Sequence, residues 1–231
     1  MYRLGGVTLH AHEIKRHVAE HYGSRATAKS CCTTPRGGCL APLADIAAAR
    51  EGDIVVDIGS GPGFDVCAFS NSVGEKGRVI GLDLSKEMIE VATERAKQLR
   101  LRNVEFTLCD AEAIPLESGT VDLVVSNCVI NLMPDKRKAI RELARLLKPG
   151  GRIVIADEAG FKPFEKRARD DLEKWCHCIS GAITPEEYAE FMKAAGLIEV
   201  HAQPLRYRDQ REVEGYGIYD AVISANKPGN G

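Results

Sequence analysis

The reactive side chains that stand out in this 231-residue sequence are its eight cysteines. They are Cys31, Cys32, Cys39, Cys67, Cys109, Cys128, Cys176 and Cys178, and they gather in turn-forming stretches and at the ends of apolar runs. Thiolates are soft ligands, so the Cys31-Cys32 and Cys176-x-Cys178 pairs suit a soft, thiophilic ion. Structural zinc fits less well, because no C-x-x-C pair or spaced Cys–His set accompanies them. A second reactive feature is VVDIGSGPG, Val55 to Gly63. Here Asp57 closes an apolar run and Gly59, Gly61 and Gly63 follow, so the backbone can approach a ligand closely. A helix starting there would turn its free N–H groups on that ligand. The spacing is G-x-G-x-G, unlike the G-x-G-x-x-G of nicotinamide-binding loops. Asp57 suits a cationic or amine-bearing ligand. The next apolar run ends at Asp83, placed for the hydroxyls of a ribose, and the one after it ends just before Asp110, within reach of an adenine edge.

These residues need strands to end where they stand. From Asp53 onward the runs DIVVDI, RVIGLD, VEFTLC, VDLVVSN and RIVIAD recur, separated mostly by helical segments beginning near Gly63, Ser85 and Pro134. Short apolar strands alternating with amphipathic helices predict a parallel sheet covered on both faces. Ser85 followed by Glu87, with the stripe Met88, Ala92, Ala96 and Leu99, marks one helix. Lys148-Pro149-Gly150-Gly151 stops another, over Arg137–Leu147. Further helices are expected over residues 12–22, 42–49, 163–179 and 184–195, and two more strands over 198–205 and 217–225. The resulting fold class is α/β, a doubly wound, mostly parallel sheet of seven strands. Residues 1–50 would supply N-terminal helices and a cysteine-bearing loop, 51–160 the ligand-binding core, and 161–231 a cap with the final strands of the same domain.

Composition limits the partners. A formal net charge of −2 gives no field that would draw the chain to nucleic acid. The cluster Lys136, Arg137, Lys138, Arg141, Arg145 and Lys148 reads as the solvated face of a helix. No stretch approaches the ~20 apolar residues of a membrane span, and the N-terminus lacks a secretory h-region. A cytoplasmic location follows, with the cysteines as thiols.

DIGSGPG, GLDLS, CDAEAIPL and LLKPGGRIVIAD resemble the successive motifs of class I S-adenosylmethionine-dependent methyltransferases, over roughly residues 50–160. The resemblance implies a Rossmann-like fold in which Gly59, Gly61 and Gly63 line the methionine part of S-adenosylmethionine, Asp83 the ribose, and Asp110 with Ala111 the adenine. It adds Asp57, Leu84, Met88, Glu112 and Asn127 to the cofactor-binding set.

SCCT (30–33), GFD (63–65), SNCVINLMPDK (126–136) and CISGAI (178–183) are similar to arsenite methyltransferases in particular. That resemblance implies arsenite or a methylated arsenical as the acceptor, a thiol reductant such as glutathione or thioredoxin, and a catalytic set of Cys178, Cys32, Cys31, Cys67 and Cys176. Cys178 is its central arsenic-binding cysteine; Cys32, beside Cys31, exchanges with the others, and Cys32, Cys67 and Cys178 would ligate arsenic as substrate. Arsenic held by two or three thiolates keeps a lone pair that can attack the sulfonium methyl without a general base, leaving alignment as the protein's contribution.

Two departures stand out. The family reads G-F-D-C, whereas here Val66 intervenes before Cys67, and one residue turns a helical side chain by about 100°. Even so, the first turns of a helix would lower a thiol's pKa at Cys67. Nothing after Cys178 is a cysteine, so Cys176, Cys67 or Cys32 must complete a three-thiolate site. Cys128 reads equally as a residue facing the cofactor or as a small buried hydrophobe. Cys109 reads as core, and Cys39 matches nothing. Two alternatives remain: methylation of an organic small molecule such as a quinone-like ring, and a non-catalytic metalloid-binding protein.

Overall fold

The computed structural model describes residues 2–4, 7–26, 40–163, 172–206 and 217–230. The chain opens with an antiparallel hairpin, β1 (Tyr2–Leu4) and β2 (Val7–Leu9). Strands of three residues are too short to show an alternating pattern, and the sequence gives no sign of them. Helix α1 (Ala11–Gly23) buries Ile14 and Val18, which lie one turn apart. Helix α2 (Leu43–Ile46) is a single turn, shorter than the expected 42–49.

The five apolar runs are five parallel strands: β3 (Ile54–Ile58), β4 (Arg78–Asp83), β5 (Val104–Leu108), β6 (Val121–Asn127) and β7 (Leu147–Gly160). The final strand β9 (Ile218–Asn226) pairs antiparallel with β7, and β8 (Ile198–Arg206) antiparallel with β9, giving the order β5-β4-β3-β6-β7-β9-β8. The expected mostly parallel seven-stranded sheet is therefore present. Side chains alternate between its faces. Val55, Leu123 and Val125 pack with α2 and with α3 (Phe64–Val73). Val56, Ile58 and Val124 pack under α5 (Lys136–Leu146) and α7 (Pro185–Ala194).

Local signals fix the helix starts. Ser85 accepts the Met88 N–H to begin α4 (Lys86–Gln98). Thr184 and Glu187 cap each other reciprocally at the start of α7, with Pro185 in its first turn. Of the helix expected over 163–179, the described part is α6 (Leu172–Cys176); residues 164–171 lie outside the described set, and residues 177–179 are a turn, so the helix ends three residues earlier than expected.

The solvated-face reading of the basic cluster needs one correction. Lys136 is buried: its ammonium donates to the carbonyls of Asn131 and Met133 and sits 4.7 Å from the Trp175 ring centre. Arg145 also turns inward, donating to the carbonyls of Ile114 and Leu116. Among the described residues no helix is long and apolar enough to cross a membrane.

Candidate functional site

The strand order reverses beside β3, which opens a crevice at the carboxyl ends of β3, β4 and β6. The glycine loop forms its floor. Gly59 has φ 69°, and a Cβ there would stand 2.2 Å from a Val129 methyl carbon, so glycine alone fits between the loop and the turn after β6. A Cβ on Gly61 would meet nothing within 4 Å, so its backbone borders open space. Gly63 does not line the crevice; a Cβ there would press on Ala92 and Phe106 at 3.0 Å, so it serves the packing of α3 against α4 and β5.

Carboxylates stand around this loop. Asp57 is 2% exposed, and its carboxyl is pushed well above the usual range by burial and by the neighbouring Asp65 and Asp83 carboxylates. Asp83 accepts the N–H groups of Ser85 and Gly61, each at 2.8 Å. A carboxylate offers about four lone-pair positions, so acceptor capacity remains for a ligand's hydroxyls. Burial raises its pKa as well, against those backbone donors. Asp110 accepts the Glu112 N–H and, at 2.7 Å, the Lys15 ammonium. Lys15 also meets Glu112 at 2.8 Å. Burial alone would depress the lysine, but its bonds to the two carboxylates outweigh that and hold it charged.

Asp57, Gly59, Gly61, Asp83, Leu84, Met88, Asp110, Ala111 and Asn127 thus border one crevice, while Glu112 stands behind Asp110. Asn127 is committed to structure. Its amide accepts the Leu40 N–H and donates to the Ala41 carbonyl and to Asp65, fastening residues 40–41 across the strand end. Sequence reasoning missed α1 as the outer wall, formed by Lys15, Val18, Ala19 and Tyr22. The one available signal was the buried stripe Ile14–Val18, which shows that a face is covered without saying what it covers.

Beyond the glycine loop the crevice reaches Cys128, which follows β6 and lines it; Cys178 lies just past α6, 4% exposed, and like Cys67 is not itself part of the lining. The Cys178 Sγ approaches the Cys128 carbonyl at 3.3 Å, so the two turns touch. Both residues hold left-handed backbones, with φ 61° and 64°. A non-glycine residue there costs about 1–3 kcal/mol and persists only where its surroundings impose it. Cys128 borders the crevice and also packs against two apolar clusters, so both readings its sequence context allowed hold in part. Cys176 packs in the same apolar cluster, its thiol pushed up by burial despite Arg25 nearby.

The other thiols lie apart. Cys67 is buried in α3 and does not border the crevice. The expected depression of its pKa is reversed: burial raises it and outweighs Arg95. Cys109 packs partly against the core, as expected, but also borders the crevice; burial and the Asp110 and Asp83 charges push its thiol up to about 11. Cys31, Cys32 and Cys39 lie outside the described residues. Among the described residues no disulfide forms, and no group of three His, Cys, Asp or Glu is poised around a common point.

The crevice thus brings the Asp57 and Asp83 carboxylates, the open backbone at Gly61 and the Cys128 turn together, with the Cys178 thiol against that turn. Residues 49–196 match the family model described as a methyltransferase domain. An arsenite methyltransferase of Halobacterium salinarum is 37% identical over 83% of this chain and 50% of its own length. A ubiquinone/menaquinone biosynthesis C-methyltransferase of Cronobacter sakazakii is 30% identical over 73% of this chain and 65% of its own. The chain spans about half the length of the arsenite methyltransferases it matches. Among solved structures, an arsenic(III) S-adenosylmethionine methyltransferase from Chlamydomonas reinhardtii superposes with a TM-score of 0.72 at 26% identity, covering 91% of this chain and 74% of that one.

Proposed function

Because the chain belongs to the methyltransferase-domain family, we propose that it transfers a methyl group from S-adenosylmethionine to trivalent arsenic held by thiolates. The observation that carries this reading is the contact of Cys178 with the Cys128 turn, which borders the same crevice as Asp57 and Asp83. Arsenite and methylated arsenicals bind thiolates, and two thiolates on one arsenic leave its lone pair in place.

The residues present fit the cofactor. Asp57 offers a buried carboxyl that a bound cation would ionise, Asp83 spare acceptor positions to a ribose, and the Gly61 backbone borders open space. When bound, S-adenosylmethionine supplies an electrophilic methyl group on a sulfonium. The chain's own share is alignment: α1 closes the outer wall, the glycine loop fixes the floor, and Cys128 and Cys178 hold the acceptor. None of these roles needs a general base. Cys32, with Cys31 beside it, would deliver or complete the arsenic site, and a thiol such as glutathione or thioredoxin would reduce the product. Cys67 stands outside the proposed Cys128–Cys178 pair, buried in α3 with its thiol pushed up by burial.

The test uses the purified protein with S-adenosylmethionine, glutathione and arsenite, following methylated arsenic and S-adenosylhomocysteine by chromatography with mass detection. Methylated arsenic that depends on the protein is the expected result; binding of both ligands with no product makes the chain a metalloid binder. A second reading, methylation of an organic ring, is favoured by the apolar stretch Val129, Leu132 and Met133 along the crevice and by the quinone-pathway relative. It gains if arsenite neither binds nor reacts.

A further inference from the structure

The two cysteine-bearing turns come from distant parts of the chain, and a buried polar knot joins them. Asp157, Asn131 and Tyr188 are all wholly buried. Asn131 sits in the 3-10 turn Ile130–Leu132, three residues after Cys128. Its backbone N–H and its side-chain amide both donate to Asp157, at 3.1 and 2.8 Å. The Tyr188 hydroxyl donates to the same carboxylate at 3.1 Å from α7, the helix that follows the Cys178 segment. Lys136 donates to the Asn131 carbonyl from below. On its far side that carbonyl leaves no room: a Cβ on Gly181 would lie 1.9 Å from it. Trp175 completes the seam by donating to the Leu132 carbonyl at 3.1 Å. An apolar packing of the same volume would avoid the desolvation of Asp157, so a structural role alone explains this expense of buried polarity poorly.

We propose that Asp157, Asn131 and Tyr188 are positioning residues of the acceptor site: their hydrogen-bond knot holds the Cys128 turn against the Cys178 turn, at a separation that lets both thiols close on one arsenic. The inference rests on the thiolate-arsenic reading above. It deepens that reading by making affinity a chelate effect, in which the second thiol binds as an intramolecular partner at high effective concentration. Both left-handed cysteines follow from the same clamp, since strained backbones persist only where packing over-determines them. The knot therefore discriminates by valence: ligands that take two thiolates gain from it, and ligands that take one do not.

The test compares arsenite with dimethylarsinous acid, which bonds a single thiolate, on the parent protein and on Tyr188→Phe. Trp175, the single tryptophan of the chain, packs with Cys176 and Cys178 and reports binding by its fluorescence. Removing the hydroxyl keeps the packing and loosens one donor to Asp157. Arsenite affinity should fall about tenfold while affinity for the one-thiolate ligand stays within about twofold. Gly181→Ala, which wedges the turns apart from the other side, should show the same selective loss. S-adenosylmethionine affinity should not move in either variant. Equal losses for both arsenicals, or parental arsenite affinity in two folded variants, would overturn the proposal. Failure of the parent itself to bind arsenite would instead remove the acceptor reading, and the proposal with it.

Discussion

The proposed cofactor end and acceptor end of the site are built by different means. At the cofactor end, Asp57, Gly59, Gly61 and Asp83 arrive on consecutive strand ends within 27 residues, and backbone N–H groups bind them into place. At the proposed acceptor end, Cys128 and Cys178 stand 50 residues apart; β7 reaches both, pairing with β6 at Asn127 and bridging Ile183 from Ala159, and buried side chains tighten that frame. A site built from contiguous backbone resists single side-chain changes outside its ligands. A site clamped by side chains is sensitive to its supports.

The largest effect should come from Cys178→Ser. It replaces a soft donor with a hard one, and arsenite affinity should fall by at least about 100-fold while cofactor affinity stays near the parent's. Calorimetry with each ligand checks the split, and parental arsenite binding would remove Cys178 from the site. Asp83→Ala comes next. It strips the acceptors from the ribose position and frees the Gly61 and Ser85 N–H groups, so cofactor affinity should drop about 10- to 100-fold with arsenite binding intact. If both ligands suffer equally, the two ends are coupled and the comparison breaks.

How much of this was legible follows from the same contrast. The five parallel strands, the caps at Ser85 and Thr184 and the acids at strand ends were readable, because each is a local consequence of periodicity or spacing. Cys128 was left undecided, and Asp157, Asn131 and Tyr188 went unnoticed, because their roles exist only once β6, β7 and α7 pack together. Lys136 misled for that reason too: on a helical wheel it joins the basic stripe, yet it turns under Trp175 to reach carbonyls exposed by a 3-10 turn. The N-terminal cysteines stay expectations, since residues 27–39 lie outside the described set.

Protons distinguish the ends at a smaller scale. Asp57 has a raised pKa from burial and neighbouring carboxylates, and a bound cation would favour its ionised form. Cofactor binding should therefore release protons and weaken as pH falls. Calorimetry in buffers of different ionisation enthalpy measures the release; a pH-independent affinity with none would exclude Asp57 as the counter-charge. Asp157 acts on stability. Burial raises it from 3.8 to about 7 against the donors around it, so the folded state holds the proton more tightly than the unfolded chain. Below about 4 both states are protonated; stability then falls as pH rises, and the fall ends above about 7. Asp157→Asn should flatten that slope in thermal scans, whatever it does to the midpoint.

The smallest effect belongs to Cys67→Ala, and it separates motif from geometry. The family pattern places a cysteine directly after Gly63-Phe64-Asp65, where this chain has Val66. Val66 is fully buried and packs with Phe69 and Val73 against the sheet, so that position faces away from the crevice. Cys67 is also buried, has a raised pKa and does not border the cavity. Replacing its sulfur by hydrogen leaves a small void, worth about 1 kcal/mol of stability. The thermal midpoint should drop by a few degrees, with arsenite affinity and methylation rate matching the parent. A tenfold loss of rate at an unchanged midpoint would put Cys67 back among the arsenic ligands. It would also mean that α3 must turn or unwind to present the thiol, so the acceptor end would assemble only during turnover while the cofactor end stands ready beforehand.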